Sequence, residues 1–224
     1  MIARLSGALL VCLAATAANA QTKEHAPVSL PSSGAMTQDK PNSESWTYFK
    51  SGLNLARYKA AYIQPTAVYR GPDAQFDSIT EEDKAKYATI LSNALDVELR
   101  QSFAMAPKPG PGVLNIQMTL LGVERTKGGV ATATRVTSFG LAANALKSIA
   151  GKPGTFTGSL LLAVEITDGA TGELLVGAVR RRSPDALDIP ATFSTTDTAK
   201  AVARDVAKRL HEKLVEAQAA PAGN

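Results

Sequence analysis

Asp168 and Glu173 stand five residues apart in the stretch ITDGATGELLVGAVRRR, which ends on Arg180, Arg181 and Arg182. Two neighbouring carboxylates could act as an acid–base pair. Three arginines could clamp a phosphate or carboxylate if their guanidinium forks converged. Turn chemistry argues for a plainer arrangement. An aspartate opening a turn accepts hydrogen bonds from the amides that follow, and Gly172 can take a positive φ. The spacing predicts a β-hairpin, with Asp168 forming the turn and Glu173 starting the returning strand. Successive strand side chains alternate faces, so the three arginines cannot all serve one point.

Other chemistry is sparse. The histidines are His25 and His211, and the one cysteine is Cys12. Neither histidine has a partner at metal-ligand spacing, so no metal and no cofactor is expected. No phosphate-binding glycine loop occurs. Glu124 and Glu165, near strand ends, are the acids that folding could bring together. Without a recognisable constellation, no catalytic residue is assigned and an enzymatic role is not expected. Few aromatics and scattered basic residues give no support for nucleic-acid binding.

The elements that must hold these residues lie between two weakly patterned ends. Residues 1–20, MIARLSGALLVCLAATAANA, have an early arginine, a short apolar run and an A-N-A end. That is the pattern of a secretory signal, and the run is too short to span a bilayer. Val11 before Cys12 makes a poor lipidation site, so an exported, periplasmic protein is favoured over an outer-membrane lipoprotein. Residues 21–44 are rich in Pro, Ser, Thr and Lys and read as a flexible leader. Residues 45–217 read as one α/β domain and 218–224 as a disordered tail.

Within the domain, a short strand around residues 61–64 stops at Pro65. Thr80 caps a helix over 81–103, with Glu81, Glu82 and Asp83 in its first turn and Tyr87, Leu91, Ala94, Leu95 and Leu99 on one side. Leu114, Ile116, Met118 and Leu120 alternate with polar residues, as in a half-buried strand. Leu160, Leu162, Val164 and Ile166 mark a second strand, and ELLVGAVRR a third. A small-residue segment, 136–150, carries Phe139, Leu146 and Ile149 on one helical stripe. The last helix, over 197–216, has the apolar stripe Ala199, Val202, Ala203, Val206, Leu210 and Leu214. Asp205 and Arg209 form an i,i+4 pair on it, and Lys200, Arg204 and Lys208 form a basic row. The expected fold is α+β: a mostly antiparallel sheet of about four strands with two amphipathic helices on one face.

Three stretches, LARYKAAYIQPTAVY, PGPGVLNIQMTLLGVE and GLAANALKSIAGKPGTFTGSLLLAVEITDGATGELLVGAVRRR, resemble in order a family of bacterial exported proteins and lipoproteins catalogued as a domain of unknown function. The likeness covers about residues 46–215. It implies an envelope location and a compact α/β domain, and supplies no catalytic residues.

The leading expectation is therefore a non-catalytic periplasmic or cell-envelope protein that acts as an interaction or accessory module. Its partner would be an envelope protein docked on Phe139, Leu146 and Ile149. The first alternative is a binder of anionic lipid or cell-wall glycan through Arg180, Arg182, Lys200, Arg204 and Lys208, associating weakly with anionic membrane or wall. The second is a hydrolase with an unrecognised carboxylate site.

Overall fold

A computed structural model describes residues 22–126, 158–185, 188 and 190–219. The expected signal segment, the stripe residues Phe139, Leu146 and Ile149, and the last five residues lie outside the described residues.

Among the described residues the architecture is a single mixed sheet of eight strands, which corrects the expected four-stranded, mostly antiparallel one. The strands are β1 (Thr37–Gln38), β2 (Trp46–Phe49), β3 (Ala60–Ile63), β4 (Ala67–Val68), β5 (Ala104–Met105), β6 (Val113–Glu124), β7 (Ser159–Asp168) and β8 (Leu174–Arg182). Their order is β1-β2-β8-β7-β6-β3-β5, with β4 also pairing with β6. Strands β1, β2, β8, β7 and β6 run antiparallel to their neighbours. The additions on the far side of β6 are parallel. The sequence pattern exposes β3, β6, β7 and β8. The strands it hides are two to four residues long, too short to show a period.

Two long helices cover one face: α1 (Glu81–Leu99) and α2 (Thr195–Ala219). Thr80 caps α1 as its sequence predicts, its hydroxyl accepting from the Asp83 amide at 3.1 Å. Tyr87, Leu91, Leu95 and Leu99 are buried, against Leu114, Ile116, Met118, Leu120, Leu160, Leu162 and Ile166 of the sheet. Burying each such side chain contributes about 1.5–3 kcal/mol. Helix α1 ends four residues before the expected boundary, because the chain must extend to pair Ala104 and Met105 with β3. Helix α2 runs on into the expected tail, where Gln218 donates to the Tyr58 carbonyl at 2.5 Å.

The opposite face has a cover of its own. Ala26, Leu30 and Met36 are buried with Tyr69, Leu121, Leu161, Ala163 and Val179. Residues 22–38, expected to be flexible, thus form a second layer. Polar contacts pin it: the Trp46 indole donates to the Thr22 carbonyl at 2.8 Å, the Ser32 amide to Glu165 at 2.9 Å, and the Ser29 amide to the Tyr69 hydroxyl at 2.9 Å. A Cβ on Gly177 would lie 2.8 Å from the Met36 methyl, so the glycine lets this layer sit directly on β8.

Candidate functional site

The final helix explains where the core is incomplete. Its apolar stripe is buried at Ala199, Val202 and Ala203 and again at Leu214, but Val206 and Leu210 between them are only half-buried. Helix α1 packs on β3, β4 and β6, and α2 packs on β7. No described helix packs on the same face of β8 and β2. A half-open groove of about 560 Å³ runs between α2 and this half of the sheet, which no described helix covers. Its volume lies in the range typical of small-molecule sites, roughly 300–1,000 Å³.

Strand periodicity builds the floor. Val176, Ala178, Arg180 and Arg182 are every second residue of β8 and all line the groove. Cross-strand register places Ile166 beside Val176, Val164 beside Ala178 and Leu162 beside Arg180. Phe49 of β2, which is 67% exposed, and Leu53 and Leu55 extend the apolar wall. The roof is Val206, Leu210 and Leu214, with Arg209 and Lys213 at the rim.

The groove is electrically graded along β8, from Val176 and Ala178 to Arg180 and Arg182. Arg180 is held by Asp39 at 2.7 Å and donates to the Trp46 carbonyl and the Thr47 hydroxyl, both at 2.9 Å. Arg209 is gripped by both oxygens of Asp205 at 2.8 Å, and Lys213 by Glu216 at 2.6 Å. Arg182 is different: it has no hydrogen bond and no ion pair among the described residues. Burial, then the like charges of Arg209 and Arg180, pushes its guanidinium below its ordinary pKa, and the charge of Asp205 offsets part of this.

Arg181 points to the other face, as alternation requires. It pairs there with Glu44 at 2.5 Å and donates to Ser159 at 3.1 Å. The basic row joins neither cluster. Lys200 and Lys208 lie 4.0 and 3.9 Å from Asp197 and Glu212 on their own helix, and Arg204 is exposed. None of the three lines the groove, so the expected five-residue anion surface is divided. Only Arg180 and Arg182 enter the cavity. They are joined there by Arg209, which the sequence shows only as a helix pair, and Lys213. The legible signal is on β8, where one parity reads Val, Ala, Arg, Arg.

The DGATG stretch is a turn with an added structural load. Asp168 Oδ1 accepts from the Ala170 and Thr171 amides at 2.9 and 3.0 Å. Its Oδ2 accepts from the Tyr58 hydroxyl at 2.7 Å and from Arg57 at 3.0 Å. The Tyr58 hydrogen bond, then the Thr171 and Ala170 amides, lowers the Asp168 pKa from 3.8 to about 2. Burial, reinforced by the bond to Asp168, pushes the Tyr58 phenol up. Glu173 points elsewhere, to Lys50 at 2.5 Å, so the two carboxylates do not share a site.

The other acids are also apart. Glu124 pairs in register with Ser159, and Glu165 with Gln117. Six strand positions, about 20 Å, separate them, well beyond the roughly 5–9.5 Å of paired catalytic carboxylates. His25 contacts the Ala26 carbonyl, and His211 contacts the Ser102 hydroxyl at 2.8 Å. Among the described residues no group of three His, Cys, Asp or Glu side chains could hold a metal. No described helix is long and apolar enough to cross a membrane.

No curated protein matches the chain. Among solved structures it is similar to a variant of the PelC dodecamer from Paraburkholderia phytofirmans, at 15% identity and a TM-score of 0.40, over 75% of this chain and 97% of that one. A second crystal form of the PelC dodecamer gives 14% identity and a TM-score of 0.38, over 73% of this chain and 96% of that one. A family model matches residues 13–210, and it places the chain in the family described as Protein of unknown function (DUF3313).

Proposed function

We propose that this protein is a non-catalytic accessory module of the bacterial cell envelope that holds an apolar ligand in the groove between β8 and α2. The supporting observation is the half-open apolar volume beneath Val206 and Leu210, where the stripe of α2 is only half-buried. Apolar lining with a few polar groups at the rim is the general character of ligand sites. The envelope location rests on the signal-like residues 1–20. Sequencing the amino terminus of protein recovered from cells tests it: Gln21 first supports export, and an intact Met1 opposes it.

Calorimetric titration with a homologous series of straight-chain alcohols tests the binding itself. Each added methylene should tighten binding about fourfold while the groove still has room, from roughly 0.8 kcal/mol per buried CH₂. Replacing Ala178, which lines the floor, by Phe should weaken binding by obstructing the floor of the groove. Affinity that is flat with chain length, or unchanged in Ala178→Phe, refutes the proposal.

A further inference from the structure

Arg182, unpaired among the described residues, gives the groove a chemical preference. Arg182 stands on the same strand face as the apolar residues Val176 and Ala178, two positions beyond Arg180. Around it, the other cations of the groove are already neutralised: Arg180 by Asp39, Arg209 by Asp205 and Lys213 by Glu216. The carboxylate whose charge reaches Arg182 is Asp205, and both of its oxygens are bound to Arg209. A partly desolvated guanidinium with no acceptor is unfavourable, and an incoming anion would supply one.

The apolar remainder of the groove dictates what the anion is attached to. From Val176 to Arg182 the floor spans six residues of strand, about 20 Å. A free phosphate or a glycan would satisfy the arginine but leave Val164, Val176, Val206 and Leu210 unmatched. A neutral hydrocarbon would match those side chains and leave Arg182 bare. Building on the apolar-ligand reading, we infer that the groove takes a single-chain anionic amphiphile, with its carboxylate or phosphate head on Arg182 and its aliphatic tail along Ala178 and Val176 under Leu210 and Leu214.

Calorimetric titration of the full chain with dodecanoate, dodecyl phosphate, dodecanol and inorganic phosphate tests this. The two anionic amphiphiles should bind about tenfold or more tighter than dodecanol, as expected for hydrogen bonds to a charged group. Their advantage should shrink as salt is raised, as a half-buried charge allows. Arg182→Met should erase it, with dodecanol still bound and a melting midpoint no lower than the parent's, since an unfavourable charge has been removed. The control is Arg204→Met, outside the groove, which should keep the full preference. If all three chains bind equally, or Arg182→Met keeps the preference, the head-group assignment is wrong although the apolar groove stands. If none of the three binds, the groove reading fails as well. Inorganic phosphate binding as tightly as dodecyl phosphate reduces the site to a simple anion pocket and overturns the amphiphile.

Discussion

Replacing Asp168 by Asn removes a charge that four hydrogen bonds surround. The folded carboxyl titrates at about 2 instead of 3.8 because the Tyr58 hydroxyl and the Thr171 and Ala170 amides all favour its ionised form. Asp168 is only 8% exposed and Tyr58 1%, so solvent screens these bonds weakly. The difference in titration corresponds to about 2.5 kcal/mol of stability at neutral pH. The sign follows from the depressed folded value. The stabilisation is complete above the unfolded value near 4 and is lost as pH falls through about 2. Asp168→Asn should therefore lower stability by about 2–3 kcal/mol at pH 7, and the gap from the parent should close between about pH 4 and pH 2. Urea denaturation of both proteins across that range measures it. Other carboxylates titrate in the same window, but they do so in both proteins and cancel in the difference. A gap that stays constant from pH 7 to pH 2, or no gap at pH 7, would refute the assignment of Asp168 as a charged anchor for β7, the turn and Tyr58.

Two further outcomes test other parts of the structure. Leu30→Ala, in the layer over the outer face, should cost about 2–5 kcal/mol in the same denaturation assay; a cost near zero would mean that residues 22–38 do not pack as described. Thr80→Ala, which removes the acceptor for the Asp83 amide, should cost about 1 kcal/mol, with Thr80→Ser restoring most of it.

Long periodic elements were legible in the residues. Leu114 to Leu120, Leu160 to Ile166 and the two helical stripes all give the right element, because a period of two or 3.6 repeats several times within each. The two-residue strands β1, β4 and β5 repeat nothing, and exist because longer neighbours offer them free edges. The second layer left one readable sign. The run LLLAVEI of β7 is apolar at Leu161 and Ala163 as well as at Leu160 and Leu162, and a strand apolar on both parities needs cover on both faces. Ala26, Leu30 and Met36 are spaced too irregularly to announce themselves as that cover. The groove was half visible. The Val, Ala, Arg, Arg parity of β8 shows its graded floor, but the pairing of that floor with Arg209 and Lys213 depends on how α2 lies across the sheet. No local pattern encodes that placement.

The sheet ends on two very short strands, Thr37–Gln38 on one side and Ala104–Met105 on the other. Stacking one molecule onto the next by main-chain pairing needs a long, flat row of unused amides and carbonyls. Stubs of this length offer too little for a foreign strand to grip, so the fold is guarded against runaway polymerisation through its margins.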